Sequence, residues 1–339
     1  MLDLQHYHRE IITGGSTGPG ASILRGLLSL SEPFYSAAVS SRNSLYTRGI
    51  FGSQHPGRPV ISIGNITTGG TGKTPVVRWL ADSLTRAGHR PAILTRGYKG
   101  GDEPKLLAKQ LPGVVVHANP SRIEGAREVL AKHPQVDVFI LDDGFQHRRI
   151  QRDFDLVLID ASNPFGFEHV LPRGLLREPL SGLARASAFL ITHSELARPD
   201  DLNLIESTLK GHNPAAPVFH SSHVTTIPPE LSGKKLLVFS GIGNPGALEK
   251  QLAAQAELAA SHRFDDHHAY SLADLMHLSS LAGKAGAHTL VTTEKDWVKV
   301  EPLLDRFRDG PPIVAAPLAI EFKMDHEQLL LDRINPIFS

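Results

Sequence analysis

Thr67-Thr68-Gly69-Gly70-Thr71-Gly72-Lys73-Thr74 follows the apolar run Val60-Ile61-Ser62-Ile63 and precedes a helix-like segment beginning Pro75-Val76-Val77. A glycine-rich turn between a strand and a helix N-terminus gathers backbone N–H groups on one spot, where the helix dipole also favours negative charge. Lys73 adds a point charge for the β- and γ-phosphates of a nucleotide, and the Thr74 hydroxyl offers a ligand for Mg²⁺. Thr67 stands where the full G-x-x-x-x-G-K-[ST] pattern has its first glycine, so the match is incomplete. A plain surface turn is the competing reading. The strand before, the intact Gly-Lys-Thr and the helix after favour phosphate binding, which assigns Thr67 to Thr74 to a nucleoside triphosphate.

Two apolar runs end in acids that could hold Mg²⁺ near those phosphates. Val138 to Leu141 leads into Asp142-Asp143, and Leu156 to Ile159 leads into Asp160. The doubled acid followed by Gly144-Phe145-Gln146-His147 favours the first, and Asp160 reads rather as the cap of the next turn. In the loop from Arg96 to Pro104, Asp102 and Glu103 have two open readings. They can cap the helix that runs through Leu106 and Leu107, or one can accept the proton of an attacking hydroxyl while its neighbour helps to bind Mg²⁺. His267 and His268 are adjacent, so regular backbone points them apart and a shared metal is not expected. Thr293-Glu294-Lys295-Asp296 places its lysine one position too late for a guanine reader.

These residues need a scaffold, and the pattern supplies one. Strands are expected at Val60 to Ile66, Ala92 to Thr95, Val114 to His117, Val138 to Asp142, Leu156 to Asp160 and Phe189 to Thr192. Helices are expected between them, notably Pro75 to Ala87 and Ser121 to His133, the latter with Ser121 as N-cap and Glu124 three residues on. Continuous apolar strands separated by helices imply a mostly parallel sheet covered on both faces, with ligands beyond the carboxyl ends of its strands. A Pro- and Gly-rich stretch around 213 to 233 separates a second α/β unit. There the expectation is a strand at Leu236 to Ser240, helices at Pro245 to Leu258 and Leu272 to Lys284, and strands at Thr289 to Thr293 and Ile313 to Ala316.

The 339 residues carry 35 Lys+Arg against 35 Asp+Glu and no cysteine. Zero net charge gives no global basic field for nucleic acid, and the missing cysteines exclude disulfides, thiolate metal sites and thiol nucleophiles. Met1 to Gly20 lacks the apolar core of a secretory signal, so export is not expected, and no apolar run reaches 18 residues. Residues 21 to 47 read as a helical segment broken at Pro33, with Leu24, Leu27, Leu28, Phe34, Tyr35, Ala38 and Val39 apolar and Arg25, Arg42 and Arg48 nearby. Such a basic amphipathic segment can pack on the domain or lie in a membrane interface.

Gly64 to Pro75, Thr95-Arg96-Gly97-Tyr98, Gly101-Asp102-Glu103-Pro104, Asp142 to His147, Leu171-Pro172-x-Gly174-x-Leu176-Arg177-Glu178, Asp266-His267 and Thr293 to Asp296 occur in this order over nearly the whole chain. Together they resemble the tetraacyldisaccharide 4′-kinases of lipid A synthesis. The resemblance implies a P-loop NTPase-like α/β/α sandwich with a second, smaller α/β/α domain. The corresponding ranges are 1–48 for a membrane- and substrate-contacting segment, 49–215 for the kinase domain, 216–233 for the linker and 234–339 for the second domain closing the cleft. It implies transfer of the ATP γ-phosphate to the 4′-hydroxyl of tetraacyldisaccharide 1-phosphate, with Mg²⁺, at the cytoplasmic face of the inner membrane.

Carried over residue by residue, the resemblance makes Asp102 the general base, helped by His267. It places Thr74, Glu103, Asp142 and Asp143 near the metal, and Tyr98, Arg122, Gln146 and Arg177 near the disaccharide or the transferring phosphate. Only Lys99 and Gly100 separate Gly97-Tyr98 from Gly101-Asp102, which implies a shorter covering loop than the family's. A P-loop ATPase switch or metallochaperone is the rival, disfavoured by Thr68, which stands where the switch ATPases carry a signature lysine. A nucleotide-binding membrane module without catalysis is the other.

Overall fold

Val60–Asn65, Pro91–Thr95, Val138–Asp142 and Ala188–Thr192 are buried at every residue, as expected of strands covered on both faces. The computed structural model describes residues 10–12, 15–97, 102–266 and 268–338, Asp102 and Glu103 by their backbone alone. Tyr98 and His267 therefore lie outside the described residues. By packing, the chain forms two compact units, one within residues 1–96, 117–222 and 322–339, the other within 97–116 and 223–321.

The first unit opens with helix α1 (Pro19–Thr47), followed by β1 (Val60–Asn65), α2 (Lys73–Arg86) and β2 (Pro91–Thr95). After α3 (Asp102–Gln110), which belongs to the second unit, come β3 (Val115–Ala118), α4 (Arg122–Lys132), β4 (Val138–Asp142), β5 (Phe154–Asp160), β6 (Ala188–Thr192), α5 (Pro199–His212) and β7 (Val218–Thr225). The second unit holds β8 (Lys235–Ser240), α6 (Pro245–Ala253), β9 (Glu257–Arg263), α7 (Leu272–Ala285), β10 (Thr289–Thr293), α8 (Glu294–Val300) and β11 (Ile313–Ala316). Finally β12 (Leu318–Phe322) and α9 (His326–Ile334) lead the chain back.

The larger sheet has the order β12-β7-β6-β5-β1-β4-β2-β3, and the smaller β11-β10-β8-β9. From β7 through β2 every pairing is parallel, as is every pairing in the smaller sheet. Strand β1 thus lies at the centre with β4 and β5 on either side, so the turns that follow β1 and β4 emerge side by side at one sheet edge. Parallel strands need crossover connections, and the expected helices Pro75 to Ala87 and Ser121 to His133 supply two of them as α2 and α4.

Three expectations change. Pro33 does not interrupt α1, which runs unbroken for 29 residues. An interior proline costs about 3 kcal/mol, but α1 is pinned on both sides of it. Glu32 accepts hydrogen bonds from the His169 ring and the Val170 amide, while Tyr35 and Arg42 donate to the carbonyls of Arg177 and Gln146. The helix expected to reach Leu258 ends at Ala253, and Glu257–Arg263 instead pairs with β8. Its alanine-rich stretch favours helix locally, and the ladder with β8 overrides that preference. Lastly, residues 97–116 group with the second unit and 322–338 with the first, unlike the ranges read from the sequence. Leu330 and Ile334 of α9 are completely buried there, and Glu327 accepts from the Trp79 indole at 2.7 Å.

Two glycines let the central turns pack. A Cβ at Gly64 would lie 2.6 Å from both the amide nitrogen and Cβ of Phe145, and one at Gly144 would lie 2.6 Å from the Ser62 hydroxyl. The turn after β4 is therefore laid directly on β1. Gly64→Ala is expected to lower stability by about 1–3 kcal/mol through overpacking, read as a lower urea midpoint at unchanged slope.

Candidate active site

Lys73 opens α2, and Gly72 before it takes the left-handed conformation, φ 75°, that a residue with a side chain disfavours. The Lys73 ammonium donates to Asn65 Oδ1 at 3.2 Å and lies 3.6 Å from Asp143 Oδ1. Asn65 ends β1 and also donates through Nδ2 to the Thr67 carbonyl at 2.8 Å, so one side chain fixes both the start of the loop and its lysine. Thr67 pairs with Leu176 in an antiparallel bridge, the Thr68 amide donates to the Leu175 carbonyl at 2.8 Å, and the Arg177 amide donates to the Ile66 carbonyl at 2.7 Å. An extended residue suits this position, which is why the loop needs no glycine at Thr67. Farther along, the Thr192 hydroxyl at the end of β6 donates to the Thr71 carbonyl at 3.1 Å.

The same bridge delivers Arg177 to the acids. Its Nη1 donates to both oxygens of Asp143 at 2.8 Å and reaches Gln146 Oε1 at 3.4 Å. Asp143 itself has a positive φ of 56°, which turns the chain sharply after Asp142. Burial works against its charge, yet Lys73 and Arg177 outweigh burial and hold its carboxyl below the usual carboxylate range. Asp142 is buried at the end of β4, opposite Ile63 of β1. Asp143, kept ionised, and Asp142 beside it offer the carboxylate oxygens that a hard cation such as Mg²⁺ takes, one or two of them together with substrate phosphates. Among the described residues no cluster of three His, Asp or Glu side chains offers a complete metal cage.

Arg122 and Gln146, expected near substrate, are held by the protein. Arg122 is 3% exposed at the start of α4 and donates to the Asp142 carbonyl at 3.4 Å. Gln146 donates to the Asn65 carbonyl and to Glu178 Oε1, both at 2.9 Å. The Ser121 hydroxyl caps α4 by accepting from the Glu124 amide, while Asn119 rather than Glu124 accepts from the Ser121 amide. Two residues that carry the cluster were missing from the sequence assignment. Asn65 holds Lys73, and Glu178, 1% exposed, accepts from Gln146, Asn43 and Arg185. Both stand inside the quoted motifs, which was the available signal.

Other sequence candidates fall to structural roles. Asp160 accepts from the Ser162 amide and hydroxyl and pairs with His193, so it caps the turn after β5. Thr293 caps α8, its hydroxyl accepting from the Asp296 amide at 3.0 Å, and the buried Asp296 carboxylate accepts from the Gly241 amide at 2.9 Å. His268 stacks on Phe264 and bonds Asp274. The backbone places Asp102 and Glu103 as the first residues of α3.

A family model described as tetraacyldisaccharide-1-P 4′-kinase, LpxK, matches residues 24–335. The chain belongs to this 4′-kinase family. It is 38% identical over 320 residues to the tetraacyldisaccharide 4′-kinase of Anaeromyxobacter dehalogenans, covering 85% of this chain and 84% of that one. It is 36% identical to the enzyme of that name from Desulfotalea psychrophila, covering 88% and 93%. Its fold matches the crystal structure of LpxK from Aquifex aeolicus in complex with ATP, at TM-score 0.73 and 28% identity over 93% of this chain and all of that one. The kinase is thus an ATP-dependent phosphotransferase of lipid A synthesis with the P-loop NTPase-like fold, using ATP and Mg²⁺ to phosphorylate the 4′-hydroxyl of tetraacyldisaccharide 1-phosphate. The ATPase switch and metallochaperone alternatives are not favoured.

Proposed function

We propose that Thr67 to Thr74 hold the β- and γ-phosphates of ATP, that Asp102, assisted by His267, takes the proton of the acceptor hydroxyl, and that Thr74, Glu103, Asp142 and Asp143 hold Mg²⁺. The meeting of Lys73 and Asp143 at 3.6 Å, directly beside the phosphate loop, is the observation that carries this reading. Phosphoryl transfer asks for positioning and charge stabilisation more than covalent work. The hydroxyl oxygen attacks the γ-phosphorus, its proton passes to Asp102, and the bond to the β-γ bridging oxygen breaks to leave ADP. Bound Mg²⁺ supplies neutralisation of the charge on the transferring group. Lys73 supplies the protein's share on the nucleotide side. Arg177 orients Asp143 and faces the same anionic centre, and Tyr98, Arg122 and Gln146 complete the substrate contacts, Gln146 chiefly by holding Arg177 in place.

The acceptor is a glycolipid, and α1 supports its delivery from a membrane surface, the cytoplasmic face of the inner membrane in this reading. Ile23, Leu27, Leu30 and Phe34 are 58–78% exposed and occur at spacings of four, three and four, within an arc of roughly 60° at 3.6 residues per turn. Glu32, Tyr35 and Asn43, which fasten α1 to its unit, lie on the opposite side. Such a stripe matches an interfacial helix whose apolar face enters the headgroup boundary, and no helix among the described residues is long and apolar enough to cross a membrane. Zero net charge speaks against nucleic acid as a partner. The test is incubation with Mg·ATP and the disaccharide 1-phosphate lipid in vesicles. One added phosphate by mass spectrometry, lost on Lys73→Ala, and flotation with the vesicles that is lost on Leu27→Asp/Phe34→Asp are expected. Absence of the phosphorylated product would sink the catalytic assignment, and unchanged flotation the membrane one.

A further inference from the structure

We propose that Thr192 is a positioning residue for the phosphate loop: from the end of β6, its hydroxyl fixes the peptide between Thr71 and Gly72 so that the Gly72 amide faces the phosphates of ATP. The inference rests on the reading of Thr67 to Thr74 as the phosphate site and adds to it a residue 121 positions farther along the chain. The hydroxyl donates to the Thr71 carbonyl at 3.1 Å. Thr192 is completely buried and Thr71 is 4% exposed, so water does not stand in for that bond.

The loop is fastened at both ends and open between them. At its start, Asn65 holds the Thr67 carbonyl and the Thr68 amide donates to the Leu175 carbonyl. In the middle, a Cβ at Gly69 or Gly70 would meet nothing within 4 Å among the described residues, which leaves room for a ligand against the backbone. At its end, the Thr71 carbonyl finds no amide four residues on, because that residue is Pro75. The Thr71 hydroxyl is buried without a hydrogen-bond partner among the described residues, so it ties nothing down either. Thr192 supplies the fastening that the local sequence lacks.

Planarity turns that bond into a selection. The peptide between Thr71 and Gly72 is trans, so its C=O and N–H point in opposite directions. Strands β6 and β4 lie on opposite sides of β1, so a carbonyl held toward β6 turns the Gly72 amide to the side where Lys73 meets Asp143. Gly72, at φ 75°, has no Cβ to stop this peptide from rotating. The reversed peptide would set a carbonyl dipole against the phosphates. The Thr192 bond decides between the two.

The hydroxyl is itself held in place. Thr192 lies opposite Asp160 in the ladder of β5 and β6, and its own carbonyl accepts from the Ala161 amide at 2.9 Å. The next residue, His193, turns the chain with φ 54° and pairs with Asp160 at 3.3 Å. A β-branched side chain on so fixed a backbone has few rotamers, which directs its oxygen to one place.

The test compares Thr192→Val, which keeps the shape and removes the hydroxyl, with Thr192→Ser, which keeps the hydroxyl. Thr192→Val is expected to raise Kd for Mg·ADP, read by titration calorimetry, and KM for ATP by about tenfold each, the effect of leaving a buried carbonyl unpaired. The inhibition constant of adenosine, which has no phosphate, and KM for the lipid acceptor in mixed micelles should stay at wild-type values. Thr192→Ser should recover most of the loss. Unchanged Mg·ADP affinity in Thr192→Val would overturn the assignment, as would an equal loss for adenosine or a Thr192→Ser variant as weak as Thr192→Val. Should Thr192→Val not fold, Thr192→Ala removes the same hydroxyl and carries the same expectations. Wild type that binds no Mg·ADP, or binds it equally well after Lys73→Met, would instead indict the phosphate-site reading beneath.

Discussion

Asp102→Asn is expected to lower kcat by about 10²–10⁴-fold, the usual contribution of a general base, while the folded protein keeps its stability. Asp102 is the first residue of α3, where an acid has two possible uses. As a first-turn acid its charge would favour the helix N-terminus by at most about 1 kcal/mol, a contribution read in stability and not in kcat. As the proton acceptor it must carry negative charge, which Asn cannot. The substitution therefore separates the two uses that the sequence left open. Asp102→Ala removes the charge as well and should match Asp102→Asn in kcat, with a stability loss of no more than about 1 kcal/mol. Steady-state kinetics with saturating Mg·ATP and a urea titration of each variant provide the measurements. A folded Asp102→Asn enzyme with wild-type kcat would end the assignment of Asp102 as base.

Lys73→Met should cost about 10²–10³-fold in kcat, the effect of removing one preorganised charge donor from a transferring group, and should raise KM for ATP as well. Methionine keeps the apolar stem and removes only the ammonium that lies between Asn65 and Asp143. The effect reaches past the nucleotide. Lys73 is one of two cations that hold Asp143 below the usual carboxylate range. In the wild type a depressed folded value stabilises the protein above the unfolded carboxylate value, and this contribution fades as pH falls through the folded one. Losing Lys73 moves the folded value upward and narrows that window, so acid unfolding should begin at higher pH. Arg177 remains and limits the shift. Retention of full activity by Lys73→Met would show that the loop does not grip the transferring phosphate.

The glycine loop, the paired acids of Asp142-Asp143 and the parallel α/β class were legible because each is a local pattern. Strand, turn and helix N-terminus follow one another within fifteen residues of β1, and their periodicity is written in the chain itself. The capping residue Ser121 was visible for the same reason. Tyr98 was named through the family resemblance, which also singled out His267 from the pair His267-His268, and both fall outside the described residues.

What the sequence could not show were pairings between distant segments. Arg177 reaches Asp143 only because Leu176 bridges Thr67, more than a hundred residues earlier, and that bridge also explains why the loop begins with threonine. Strand β9 was hidden in helix-favouring alanines until β8 paired with it, and α9 returned to the first unit through Leu330, Ile334 and Glu327. The bond from Thr192 to Thr71 likewise joins two segments with no shared pattern. By itself the sequence determined which groups are proposed to bind phosphate and which secondary elements present them, since backbone propensity and side-chain chemistry are local. Tertiary structure decided which charges face one another, because burial and ion pairing depend on contacts that chain closure alone brings within reach.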